Sequence, residues 1–333
     1  MKKKILPMKY PSPVSFPYEA NILSILNFYD EHSAWLHSNF IQLINTKDTT
    51  KYDVRVGMNE LFNSPFLTIK RLHAKDFSEN IVQKIIEILD NDIYFYFLTV
   101  DQSYIQACNN QNTHELFVFG YDDNEKCFHL ADFISGQYKF FTGGYDEIVN
   151  ATKNLEQYEK DIILIKYNKG VQFNFTMSKV SSLIQIFLQP EINLQKNLNQ
   201  IENYLNPEMT QTINGNFGIK SFGVNVYKDL HNYIECLYES TSIWVDMRPF
   251  QSLYFHKYLM LNRVVYMNEH NYLKEDISKN INYLVNHSLI IRNLLIKYTF
   301  STNKRLLLQA LQFLTALENS EKETLNELLV LLR

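Results

Sequence analysis

The 333-residue chain has only three cysteines, Cys108, Cys127 and Cys236, and no two of them have CxxC spacing. Such a set forms neither a disulfide framework nor a cysteine zinc site, and it is typical of a protein in a reducing cytoplasm. The sequence also has no glycine-rich phosphate loop, no HExxH and no carboxylate cluster with EF-hand spacing. We therefore expect neither a metal nor a nucleotide cofactor.

Positive charge and long apolar runs are scarce too. Lys and Arg number 32 against 36 Asp and Glu, a net charge of −4 without a basic block, which argues against nucleic acid as a partner. No run approaches the roughly 20 apolar residues of a membrane span. The lysine-rich start resembles a signal peptide, but Pro7, Lys9 and Pro11 interrupt any apolar region. These features predict a cytoplasmic protein that binds neither nucleic acid nor membrane.

What the chain does have is core-forming sequence, with 46% hydrophobic residues, 22 tyrosines and 23 phenylalanines. Helical spacing of apolar residues predicts helices over 19–30, 34–43 and 78–89, the last with Ser78 as its N-cap. The period then changes to two, which predicts β-strands. These strands cover 93–100, 116–121, 126–133, 138–141 and 162–167, with a short helix over 145–154.

From about residue 176 the spacing is helical again. The predicted helices cover 178–188, 194–205, 224–239, 249–267, 276–298 and 303–317, and Ser320 and Glu323 form a capping box that opens a last helix to about residue 332. The break near Asn168 and Gly170 predicts a domain boundary. We expect an α+β domain over 1–168 and an all-helical domain over 169–333.

The most informative polar pair of the chain flanks a hairpin turn. A turn centred on Asp123 places His114 and Asp132 opposite each other, with β carbons roughly 5 Å apart on one face. A histidine oriented by a carboxylate is the base half of a nucleophilic triad. In the same register, Glu115 and His129 lie on the other face as packing or solvent-facing residues.

An N-terminal helix, an antiparallel sheet of five strands, and a histidine and an aspartate on consecutive strands resemble the papain-like fold. More narrowly, the chain resembles the family named for butirosin-biosynthesis protein H, related to papain-like bacteriocin-processing peptidases. The resemblance is carried by residues 19–29, 113–122, 128–132 and, in the helical half, 246–257. It implies an α+β protein: a papain-like domain with a central antiparallel sheet, followed by an all-helical C-terminal domain.

Active members of that family look like acyltransferases, which take an acyl group from a carrier-protein thioester through a helix-borne cysteine and pass it to an amine. The resemblance implies a protein of natural-product biosynthesis, such as nonribosomal peptide biosynthesis. Its partners would be an acyl or peptidyl carrier protein or a biosynthetic enzyme, with a small-molecule amine as acceptor. The expected catalytic residues are His114, Asp132 and Glu19, with Tyr18 and Asn21 binding substrate.

The cysteine nucleophile of this chemistry is missing, because residues 16–21 at the start of the first helix contain none. Cys108 lies in a polar loop without a helix N-terminus or cation to lower its pKa. Three hypotheses stay open. The protein is a pseudoenzyme that acts as a scaffold or partner-binding protein, or His114 acts directly on a bound amine or water, or a natural cysteine has been replaced at Ala20 or Asn21.

Overall fold

The structure is a computed structural model that describes residues 2–11, 13–47, 52–56, 60–72, 80–108, 113–153, 161–190, 219–240 and 244–332. The chain divides into two compact units. The first unit consists of Met1–Ser12, Phe16–His32 and Ser64–Gln172, and the second of Pro13–Ser15, Ser33–Asn63 and Phe173–Arg333. The chain therefore crosses between the units several times, whereas the sequence predicted a single boundary at residue 168.

The strands are, in chain order, β1 (Lys3–Ile5), β2 (Leu43–Lys47), β3 (Tyr52–Val56), β4 (Leu67–Leu72), β5 (Ile93–Asp101), β6 (Thr113–Asp122), β7 (Cys127–Ile134), β8 (Gln137–Gly144), β9 (Ile162–Tyr167) and β10 (Ile219–Phe222). The α-helices are α1 (Pro17–Leu26), α2 (Ser33–Ser38), α3 (Ile81–Asp90), α4 (Tyr145–Lys153), α5 (Met177–Leu188), α6 (Val226–Glu239), α7 (Arg248–Glu269), α8 (Ser278–Ser301) and α9 (Lys304–Leu331).

The first unit is built on a seven-stranded antiparallel sheet with the order β4-β9-β5-β6-β7-β8, and β1 pairs with β6 beside this path. The five strands predicted from the period-two pattern are all present, and β1 and β4 were missed. Together with the helical segment that follows, this sheet confirms the predicted α+β fold class. The sheet is antiparallel because hairpins join β6 to β7 and β7 to β8, a connection that parallel strands cannot use.

Strand β1 lies close against β6, and its charged residues are paired with acids. A Cβ at Gly120 would come within 2.7 Å of the Lys4 carbonyl oxygen, so a larger residue would displace β1. Lys3 and Lys4 of β1 pair with Asp122 and Asp92, and the preceding Lys2 pairs with Asp90. The positive start that resembles a signal peptide is thus a strand of the sheet.

The second unit is mainly helical and also carries an antiparallel sheet with the order β10-β2-β3. The predicted helix over 34–43 is too long, since α2 ends at Ser38 and β2 begins at Leu43. Phe40 between them has φ 57°, a left-handed conformation that cannot continue a helix. The predicted helix over 194–205 and the predicted cap at Ser78 lie outside the described residues.

Helix α9 corrects another prediction, because it runs without a break through the expected capping box at Ser320 and Glu323. Its buried positions include Leu317, Glu321 and Leu325, which continue one buried stripe across the predicted junction. A capping box needs a residue with non-helical backbone at its start, and the packing of this stripe keeps Ser320 helical instead. Within the described ranges, every helix is too short or too polar to span a bilayer.

A charged cluster lies in the core of the second unit. Lys257 on α7 and Glu321 on α9 are fully buried and form an ion pair, and Tyr227 donates a hydrogen bond of 2.7 Å to the other Glu321 oxygen. His256 Nε2 donates to the Ile41 carbonyl at 2.8 Å, so its Nδ1 accepts from Lys257 Nζ at 3.0 Å. Burial, and then the neighbouring ammonium, lower the pKa of His256 well below its usual value. The imidazole is therefore neutral.

Candidate functional site

The hairpin of β6 and β7 differs in register from the prediction but keeps its faces. Next to the turn Asp122 pairs with Cys127, so the turn centres between Asn124 and Glu125 rather than on Asp123; beyond an irregularity in β6, Phe117 pairs with Ala131. Continued by one pair, this register sets Asp132 opposite Leu116, and His114 becomes its diagonal neighbour on the same face. A shift of two residues along one strand preserves the face, because side chains alternate with a period of two.

The predicted pair is formed. His114 Nδ1 lies 2.9 Å from Asp132 Oδ2, which is a hydrogen bond and an ion pair when the imidazole is protonated. An ionised carboxylate only accepts hydrogen bonds, so Nδ1 carries the hydrogen and Nε2 of the neutral ring is left as the acceptor. The Asp132 side chain is 1% exposed and that of His114 is 38% exposed. The acid is thus enclosed, while the ring can be reached from solvent.

A residue that the sequence did not reveal completes the site. Gln102, in the 3₁₀ turn after β5, donates from Nε2 to Asp132 Oδ2 at 2.5 Å, and the backbone N–H of Phe133 donates to Oδ1 at 2.7 Å. With His114, the buried carboxylate has three donors, which offset the cost of removing it from water. The one local signal is Asp101, whose side chain caps the turn by accepting from the Ser103 N–H at 3.0 Å.

The acid changes the protonation of the base. The hydrogen bond that His114 donates to Asp132 raises the pKa of His114 above its usual value of about 6.5, against the opposing effect of burial. The neutral imidazole, which is the form that can accept a proton, becomes the main form only as the pH rises through this elevated pKa. Asp132 therefore makes the His114 imidazole a stronger base, but a higher pH is needed for the ring to be neutral and able to accept a proton.

The helix expected to face the pair lies on the other face of the sheet. Asn21 on α1 accepts a hydrogen bond of 2.7 Å from the Tyr138 hydroxyl, and Tyr138 is paired with Phe133 on β7. Since neighbouring residues of a strand point to opposite faces, Tyr138 and Asn21 lie on one face and Asp132 on the other. The structure brings His114 and Asp132 together, but it does not add Asn21 to them.

The other two residues expected at the site also take part in local structure of α1. Glu19 is 1% exposed, and its Oε2 accepts from the Phe16 backbone N–H at 3.2 Å, as a helix-start carboxylate does. The Tyr18 ring stacks against Phe16, with centroids 5.8 Å apart. Ala20 is fully buried as well, so a cysteine at position 20 or 21 would be enclosed on the α1 face rather than presented to His114.

Cys108 lies on the same face as the pair but is not activated. Leu130 and Ile105 meet beside Gly143 on the Asp132 face, and the turn after Ile105 holds Cys108 through a backbone hydrogen bond of 3.0 Å. Burial, with the charges of Asp132 and Glu147, raises the pKa of the Cys108 thiol to about 12. A thiol with this pKa is almost fully protonated at neutral pH and is a poor nucleophile.

We therefore expect Cys108 to resist alkylation. At pH 8, iodoacetamide should modify the exposed Cys236 quickly and Cys108 about a thousandfold more slowly than an unperturbed thiol, because so little thiolate is present. Peptide mass spectrometry of a time course measures both rates in one sample, with Cys236 as the internal control. Equal rates at the two positions would contradict the buried, protonated thiol.

In the described part of the chain, no three His, Cys, Asp or Glu side chains cluster as a metal site would require. No protein-family model matches the sequence, and no curated protein matches it. The chemistry of the site is therefore argued from its own residues: an enclosed carboxylate with three donors, and an accessible imidazole that the carboxylate orients.

Proposed function

We propose that this protein binds an acyl group presented as a carrier-protein thioester and transfers it to an amine, with His114 as general base and Asp132 orienting it. The observation that carries the proposal is the hydrogen bond of 2.9 Å between His114 Nδ1 and Asp132 Oδ2, with the ring still partly exposed. This is the arrangement by which a carboxylate fixes the tautomer of a catalytic histidine. The resemblance of the hairpin sequence to acyltransferases of natural-product biosynthesis supplies the substrate class.

The transfer is direct in this proposal. His114 Nε2 takes a proton from the acceptor amine as its nitrogen attacks the thioester carbonyl, so that a C–N bond forms and the C–S bond breaks. The same proton passes to the departing thiolate, and the products are an amide and a free thiol. The protonated state of Cys108 supports this direct route, since a thiol with a pKa of about 12 does not supply the covalent intermediate.

A second hypothesis is a scaffold that has kept the hairpin and lost the chemistry. It is favoured by one observation: α1 lies on the face of the sheet that does not carry Asp132. The family's nucleophile would sit at the start of that helix, and so away from His114. Under this hypothesis the protein binds a carrier protein or biosynthetic enzyme in the cytoplasm without turnover. Binding without any product separates it from the catalytic hypothesis.

The pH dependence of the Asp132→Asn variant tests the catalytic proposal. We expect the wild-type rate of amide formation from a soluble acyl thioester and an amine to rise with pH through the elevated pKa of His114. Asparagine removes the carboxylate that raises this pKa, so the rising limb should move to lower pH. The plateau should also fall, by up to about 10⁴-fold, because asparagine stabilises the wrong tautomer.

Mass spectrometry measures the amide product and the intact protein in the same reactions. Direct transfer predicts product without an acyl-protein adduct. A stable adduct on Cys108 would contradict the direct route, and a limb that stays in place in Asp132→Asn would mean that His114 is not the titrating base. Carrier-protein binding with no amide at any pH would favour the scaffold.

A further inference from the structure

We infer that Gln102 is a positioning residue that limits how strongly Asp132 holds the proton of His114, an inference that rests on the proposed function. Gln102 Nε2 and His114 Nδ1 donate to the same oxygen, Asp132 Oδ2, at 2.5 and 2.9 Å. The other oxygen is held by the Phe133 N–H at 2.7 Å, so the carboxylate cannot rotate to give each donor its own acceptor. The two side chains therefore compete for one atom.

The side chain of Gln102 is fixed for this role. It is 2% exposed, and its amide nitrogen also lies 3.5 Å from the Glu115 carbonyl oxygen on β6. Its backbone stands in the 3₁₀ turn Gln102–Tyr104, which Asp101 caps and whose end is closed by the Ile105 N–H bonding to the Gln102 carbonyl at 3.1 Å. Because the Gln102 amide is buried and both its side chain and its backbone are hydrogen-bonded, the amide keeps its orientation toward Asp132.

The competition has a consequence for the base. An acceptor that already takes one strong hydrogen bond attracts a second donor less, so Gln102 weakens the attraction of Asp132 for the imidazolium. Without the amide, His114 would keep its proton to higher pH and less of the neutral base would be present at pH 7. Gln102 thus keeps the oriented histidine usable near neutral pH.

Other titratable groups on the elements that neighbour the pair stay the same in the experiment below. They come from each neighbouring element: Asp101 at the end of β5, Glu115 on β6 bonded to the Tyr96 hydroxyl, Lys139 opposite Asp132 on β8, Cys108 after the turn, and Glu147 on α4. Because none of them changes, a shift in the titration of His114 reports on the Gln102 amide.

Gln102→Met tests the inference, since methionine keeps the length of the side chain and removes the donor. NMR titration of the histidine rings in the full-length protein, with His114→Ala to assign the signal, should show the pKa of His114 rising by roughly one unit. The acid limb of the rate profile should move by the same amount, with a rate at pH 7 lowered up to about tenfold and restored above pH 8. A loss of activity caused only by structural damage would not be restored by raising the pH.

His129 on the other face of the sheet is the control, because an unchanged titration there shows that the sheet is intact. If Gln102→Met does not fold, Gln102→Asn withdraws the donor by one methylene and should raise the pKa of His114 in the same direction. An unchanged or lowered pKa of His114 in a folded variant overturns the inference. The titration needs no substrate, so a rise without any acyl transfer would refute the proposed function and leave the role of Gln102 standing.

Discussion

His114→Ala should slow amide formation by about 10²–10⁴-fold, the usual cost of removing a general base. The reason is geometric: Nε2 is the acceptor of a ring that Asp132 holds at 2.9 Å through Nδ1, and alanine leaves no group to take the proton of the amine. Binding of the acyl thioester should persist, because the His114 imidazole acts on the acceptor amine and not on the thioester. Product formation by mass spectrometry and thioester binding by calorimetry measure the two effects separately.

His129→Ala is the matched control. His129 is a half-buried histidine on the same hairpin, but it pairs with Gly120 and packs against Phe119 on the opposite face. We expect its loss to change the rate of amide formation by less than about threefold, because this ring lies away from the reacting groups and can act on them only indirectly. Full activity of His114→Ala would end the general-base proposal, and equal losses in both variants would point to a general disturbance of the sheet.

Glu321→Leu should lower the free energy of unfolding of the second unit by about 3–5 kcal/mol, as breaking a buried ion pair does. The substitution leaves the Lys257 ammonium without its carboxylate and the Tyr227 hydroxyl without its acceptor. Burial already lowers the pKa of Lys257 and the attraction of Glu321 opposes that effect, so the variant should release this proton, which limits the cost. Urea unfolding followed by tryptophan fluorescence is the measurement, because both tryptophans, Trp35 and Trp244, belong to the second unit.

The double variant Lys257→Met/Glu321→Leu is the control for this prediction. Replacing both residues by apolar ones removes the unpaired lysine head group, whether charged or neutral, so at least about 2 kcal/mol of the loss should be recovered. A double variant as unstable as Glu321→Leu alone would show that packing around α9, and not the unpaired charge, causes the loss. Circular dichroism at 222 nm checks that both variants retain their helices.

The hairpin shows how much of the site could be predicted from sequence. The polar turn between two apolar strands predicted His114 and Asp132 on one face, and they do share a face because the register shift at that end of the hairpin is even. The residue-by-residue pairing was wrong, since the pairs next to the turn differ from the predicted register by three residues; the irregularity between Val118 and Gly120 adds a residue to β6 and changes this odd shift to an even one. No local sequence pattern predicted this bulge.

Contacts between distant residues account for the rest of what the sequence did not reveal. Strand β2 is buried yet carries Asn45, which donates to Asp229 on α6 at 2.7 Å, 184 residues away. A polar residue at a buried strand position interrupts the apolar pattern that predicts a strand. Its hydrogen-bond partner, far away in sequence, cannot be predicted from residue spacing. Gln102 was missed for the same reason, because its role depends on a carboxylate 30 residues away that the fold brings to it.

The ion pairs of Lys2 and of the two β1 lysines, Lys3 and Lys4, favour one register of β1 against β6. Each pair has a partner exposed to solvent, so each contributes little stability, and the backbone pairing with β6 holds the strand. A slip of one residue along β6 would separate Lys3 from Asp122 and would also push a side chain into the space that Gly120 leaves for the passing backbone. The ion pairs and the absence of a Cβ at Gly120 thus disfavour the neighbouring registers of β1. The strand is too short for its hydrophobic pattern alone to specify its register.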